Sequence, residues 1–99
     1  MKHIHATPAR NAEVIMRDGL RAEKSKSRTL LTVWLTTPGN RDWAVRHAKT
    51  RHDAKAVCLF EVDVPRGWLA KPQSWKLWHT SGRDVPPERI RLLETVTLA

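Results

Sequence analysis

The phrase His3-Ile4-His5-Ala6-Thr7-Pro8 sets a histidine at the end of an expected strand, where its ring can face a cleft. Three later phrases carry the other residues of chemical interest: Thr32-Val33-Trp34-Leu35-Thr36, Val57-Cys58-Leu59-Phe60-Glu61-Val62-Asp63 and Asp84-Val85-Pro86-Pro87-Glu88. A neutral imidazole both donates and accepts hydrogen bonds, whereas an indole offers a flat face and a donor but no acceptor. Five histidines and a cysteine raise the question of a metal. His3 and His5 alternate along one strand face, with no Cys or His pair at zinc-finger spacing, so no metal is expected. The chain also contains no Gly-rich phosphate loop, no Gly-x-Ser-x-Gly elbow and no His-Glu-x-x-His, so those enzyme classes have no support.

Eighteen Lys and Arg against ten Asp and Glu give a formal charge of +8, which favours an anionic partner through long-range attraction. The positive residues fall into two groups. Arg21, Lys24, Lys26 and Arg28 cluster in an expected loop, while Arg41, Arg46, Lys49, Arg51 and Lys55 stud an expected helix and its exit. A nucleic acid, a dinucleotide or an acidic protein would each satisfy them, and so would plain solvent.

Ninety-nine residues, 40% of them hydrophobic, fit one globular domain over 1–99. A chain of this size buries only about two thirds of its unfolded surface, so it needs every strand it can form. No apolar run approaches the ~20 residues of a membrane span, and no apolar leader follows Lys2, so a cytoplasmic protein without membrane contact is the expectation. Cys58 is the single cysteine and sits in an expected core strand, which suits a buried structural thiol in a reducing compartment.

The elements that must position these residues follow from spacing and punctuation. Thr7 and Pro8 read as cap and first residue of a helix ending near Asp18, with Ala12, Ile15 and Met16 as its core stripe and Gly19 as its left-handed stop. Residues 21–29 read as a mobile polar loop. A strand over Leu31 to Thr36 is broken by Thr37-Pro38-Gly39, and Asn40 caps a basic second helix with Trp43, Ala44, His47 and Ala48 on one face. Residues 56–64 form the strongest strand: one face is all apolar, and the other passes from Val57 and Leu59 to Glu61 and Asp63. A loop reaches Ser74, a strand covers Trp75 to Thr80, and a last strand starts near Ile90 with Ile90, Leu92, Val96 and Leu98 at even spacing.

The order of strand-His, helix ending in Gly-Leu, strand ending in Leu-Thr, helix, strong strand, and strand leading to Val-Pro-Pro resembles the ADP-ribosyltransferase superfamily. It is most similar there to the NAD-binding lobe of RNA 2'-phosphotransferases. The matching phrases are His5-Ala6-Thr7, Val33-Trp34-Leu35-Thr36, Arg51-His52-Asp53 and Asp84-Val85-Pro86-Pro87. The resemblance implies NAD as cofactor, with His5 on the ribose beside the nicotinamide, Thr7 and Thr36 nearby, and Trp34 against the nicotinamide ring. It also implies His5, Arg83 and His79 as catalytic residues, with Arg51, Arg83 and His79 about a 2'-phosphate. Poly(ADP-ribose)-type members carry a glutamate where this chain aligns Lys76, so transfer dependent on that glutamate is not expected here.

The expected architecture is α+β, a split and mostly antiparallel sheet with two short helices, resembling a minimal ADP-ribosyltransferase lobe. The expected function is binding of NAD or an ADP-ribose-like nucleotide, with transfer to a phosphate or to an RNA or DNA acceptor. The alternative is a non-catalytic basic module that binds nucleic acid through Arg21, Lys24, Lys26, Arg28, Arg41, Arg46, Lys49 and Arg51. His5 reads equally as a partly buried strand histidine, and Trp34, Trp43 and Trp78 as core or core rim.

Overall fold

Alternation of large apolar side chains on both sides of one strand requires cover on both faces, and the strand Ala56–Asp63 receives it. In the computed structural model, which describes residues 2–24, 32–74 and 77–97 but not the side chains of 71–74, Val57 to Phe60 and Val62 are fully buried. The chain runs β1 (Lys2–Pro8), α1 (Ala12–Asp18), β2 (Trp34–Leu35), α2 (Arg41–His52), β3 (Ala56–Asp63), β4 (Ala70–Ser74), β5 (Leu77–His79) and β6 (Ile90–Thr97). Two antiparallel three-stranded sheets result, ordered β1-β3-β6 and β2-β5-β4. Among the described residues a single bridge, between Ile4 and Thr36, links them. The fold is α+β with two helices on antiparallel sheets.

Opposite faces of β3 belong to two cores. Cys58, Phe60 and Val62 pack with Ile15 of α1, Leu20, Leu35 and Val85, whereas Val57 and Leu59 pack with Ile4, Val45, Ala48 and Ala54 under α2. The apolar-to-acidic drift is present: Glu61 is half-buried and Asp63 exposed. Cys58 is buried, donates weakly to the Thr7 carbonyl at 3.6 Å, and burial pushes its thiol up from the ordinary value, which makes it an inert thiol.

Several local expectations need correction. Thr7 does not cap a helix: Pro8 ends β1, a 3-10 turn over Ala9–Asn11 precedes α1, and the Thr7 hydroxyl accepts from the Asn11 amide at 3.0 Å. Met16 is 53% exposed, so the inward stripe of α1 is Ala12 and Ile15, continued by Leu20. Asn40 makes no side-chain cap bond; its side-chain NH2 donates to the hydroxyls of Thr36 and Thr37. The core face of α2 is Ala44, Val45 and Ala48; Trp43 and His47 are half-buried beside it.

Residues 21–24 are fastened rather than loose. Leu20 pairs with Val85, and Asp84 accepts from the Ala22 amide at 2.7 Å and from Arg21 Nε at 3.1 Å. Gly19 makes this approach feasible: it has φ +82°, and a Cβ there would lie 2.1 Å from the Val85 carbonyl oxygen. The stretch expected as a loop up to Ser74 contains β4, hidden from a propensity reading by Pro72, which is tolerated because β4 lies at a sheet edge. In β6, Leu59 pairs with Glu94 and Phe60 with Leu92, leaving Leu93 as an extra, bulged residue. The bulge divides the evenly spaced set: Ile90 packs on the Phe60 side and Val96 on the Leu59 side. Lys26, Arg28, Leu31, Trp75, Lys76 and Leu98 lie outside the described residues.

Candidate functional site

β1 pairs with β3 along one edge, and along its other edge the bridge at Ile4 is its one described backbone pairing. Beyond that bridge the strand opens onto a cleft of about 830 Å³, floored by β1 and the Thr32–Thr36 segment and walled by α1 with the Leu20–Lys24 strap and by α2. At this size it falls in the upper part of the range of about 300–1,000 Å³ typical of ligand sites. His5, Thr7, Trp34 and Thr36, which the family resemblance groups, all line it.

His5 is half-buried, and its Nδ1 lies 2.9 Å from the Trp34 carbonyl oxygen. A carbonyl can only accept, so Nδ1 carries the proton and Nε2 keeps its lone pair. Burial lowers the His5 pKa, and the bond to the Trp34 carbonyl only partly opposes this, which leaves the ring neutral at pH 7. Trp34 is half-buried, and the His79 ring leans against it at 5.2 Å between centroids. Thr7 and Thr36 are buried, their hydroxyls engaged by the amides of Asn11 and Asn40.

α2 adds Trp43, His47, Arg51 and His52 to the lining. The Trp43 and His47 rings stack at 4.8 Å with 16° between planes, and burial followed by the nearby Arg51 lowers the His47 pKa. On the strap wall stand Arg21 and Lys24. The lining carboxylates are Asp18, bonded to Arg17, and Glu23, paired with Arg21 at 3.4 Å.

The remaining residues singled out in the sequence lie elsewhere. His79 sits behind Trp34 and accepts at Nδ1 from the Ser81 amide at 3.1 Å, so it supports the cleft without lining it. Arg83 lies over the Trp68 ring, 5.5 Å from its centroid, with Arg89 at 5.0 Å from the same ring. Arg83 is not among the residues that line the cleft with His5 and Trp34. Arg41 pairs with Asp42 and Glu94, tying α2 to β6, while Arg46 and Lys49 are exposed on α2 and do not line the cleft. Sequence reasoning missed the Trp43–His47–Arg51 stripe as a cleft wall. Its four-residue spacing was the available signal, but the same spacing also serves a face at the core rim.

Among the described residues no three His, Cys, Asp or Glu side chains are arranged to hold a metal ion. None of their helices is long and apolar enough to cross a membrane. No protein-family model matches the chain, and no curated protein sequence matches it significantly.

Proposed function

We propose that the cleft binds NAD or an ADP-ribose-like nucleotide and serves transfer of ADP-ribose to a phosphate or nucleic acid acceptor. The observation that carries this reading is the His5–Trp34 pairing: a neutral imidazole, fixed through Nδ1, offers Nε2 as an acceptor at the wall of a cleft that Thr7, Trp34 and Thr36 also line. A ribose hydroxyl is a donor matched to that lone pair, and the Trp34 indole is a flat partner for the nicotinamide.

In the transfer, the bond between the ribose anomeric carbon and the nicotinamide nitrogen breaks, and nicotinamide leaves neutral with the bonding pair. A phosphate oxygen of the acceptor then forms the new bond to that carbon. An anionic phosphate has no proton to lose in this step, so the reaction needs no general base. Asp18 and Glu23, the lining carboxylates, are held by arginines, so the positive charge developing on the ribose meets no unengaged carboxylate among the described residues. Cations at the rim, Arg21, Lys24 and Arg51, suit the phosphates of the dinucleotide and the acceptor.

The test is an NAD titration of the wild type and His5→Ala, followed by tryptophan fluorescence and calorimetry. Wild type should bind with a signal from Trp34, and the variant should bind more weakly. Equal affinity in the two proteins, or no wild-type binding at millimolar NAD, rejects the reading.

A further inference from the structure

The second aromatic surface of the cleft is independent of His5 and Trp34. Trp43, His47 and Arg51 recur every four residues on α2 and therefore form one stripe along the helix. All three line the cleft, and the Trp43 and His47 rings are nearly parallel at 4.8 Å. The core contacts of α2 come from Ala44, Val45 and Ala48, so the ring pair is not what packs the helix onto its sheet. Burial and Arg51 hold His47 neutral near pH 7, which makes the pair an uncharged heteroaromatic surface with a guanidinium one turn further on. Arg46 and Lys49 extend the positive charge over the exposed side of the same helix.

Flat rings beside cations form the combination that binds single-stranded nucleic acid: a base stacks on the rings and its phosphate meets the cation. An acidic peptide would use the cations and leave the rings idle. A duplex already stacks its bases on one another and has no free face to offer. We infer that the Trp43–His47–Arg51 stripe is the acceptor subsite, where a base of a single-stranded nucleic acid stacks on the ring pair and an adjoining phosphate pairs with Arg51. The word acceptor rests on the NAD reading given above; the binding site itself does not.

The experiment is fluorescence anisotropy of a short labelled single-stranded RNA on the full chain and on Trp43→Phe, Trp43→Leu and Arg51→Gln, with thermal melts and an NAD titration on each. Stacking survives in Trp43→Phe, which should bind RNA within about twofold of wild type, whereas Trp43→Leu should bind about 5- to 100-fold more weakly. Arg51→Gln should weaken binding and flatten the log-log salt slope by about 0.7. NAD affinity should stay at the wild-type value in the two Trp43 variants, since His5 and Trp34 are untouched. Should Trp43→Leu fail to fold, the Phe and Gln variants decide alone. RNA binding unchanged in Trp43→Leu and Arg51→Gln overturns the inference. So does equally tight binding of duplex RNA, or displacement of the RNA by polyglutamate as readily as by unlabelled RNA. Wild-type protein that ignores NAD yet binds RNA through Trp43 removes the NAD reading and leaves the subsite standing.

Discussion

His5 and Trp34, 29 residues apart, are joined by a hydrogen bond of 2.9 Å from the imidazole Nδ1 to the backbone carbonyl oxygen. The bond fixes the tautomer, aims the ring and ties β1 to β2 beyond the bridge at Ile4. Substituting alanine therefore removes both a positioned acceptor and a tie between strands. His5→Ala should lower stability by about 1 kcal/mol through the lost bond and weaken NAD binding by about 1–3 kcal/mol. Urea unfolding and calorimetry measure the two effects separately.

Acid should act through the half-buried imidazoles of His5 and His47. The folded pKa values of His5 and His47 lie below 6.5, so between that value and the lowered ones the unfolded chain binds more protons than the folded one. Their contribution to stability is complete above pH 6.5 and is lost as the pH falls through the lowered values. Melting temperatures should drop between pH 7 and 5, and a His5→Gln, His47→Gln double variant should show a smaller drop.

Gly19→Ala tests the strap. The substitution forces an L side chain to φ +82° and puts its Cβ against the Val85 carbonyl, so the Leu20–Val85 pairing must shift. A loss of about 1–3 kcal/mol is expected from the strained backbone alone. Faster amide exchange at Leu20 and Ala22 should accompany it, because the Asp84 bond to Ala22 depends on that pairing.

Arg83→Ala should leave NAD affinity unchanged, since Arg83 stands over Trp68 and not in the cleft. Its stacking contributes about 0.5–1 kcal/mol at an exposed site, and that is the stability loss to look for in a thermal melt. A large loss of NAD affinity without loss of stability would contradict this placement.

Charge reversal at Arg46 and Lys49 separates the basic helix surface from the cleft. Both are exposed, so the double glutamate variant should keep the wild-type melting temperature. Nucleic acid binding should fall sharply at low salt, because each neutralised phosphate contributes about 0.7 to the log-log salt slope on single strands. NAD binding should barely change.

Strong periodicity was legible in the sequence. β3 announces itself because both of its faces are apolar, and Gly19 because only a left-handed residue ends α1 there. His5, Thr7, Trp34 and Thr36 were legible as a group through the family resemblance of the two phrases that carry them, which lie on β1 and around β2. β4 was not, since Pro72 and its polar neighbours contradict a strand and only an edge position accommodates them. The cleft-facing side of Trp43 and His47 was not legible, because a helical stripe reads the same whether it faces a core, a core rim or a cleft. The place of Arg83 over Trp68 was not legible, because the path of a turn after a strand depends on its tertiary contacts and not on local spacing.

The extra residue in β6 bears on how the protein behaves in company. β6 is an outer strand with Leu92 and Leu93 exposed, the kind of edge along which identical chains can add to one another and grow into fibres. At Leu93 the bulge breaks the regular spacing of outward-facing amides and carbonyls, so a second copy cannot zip along the whole strand. A chain lacking Leu93 would present an uninterrupted template, and its tendency to aggregate would rise without any change in its core.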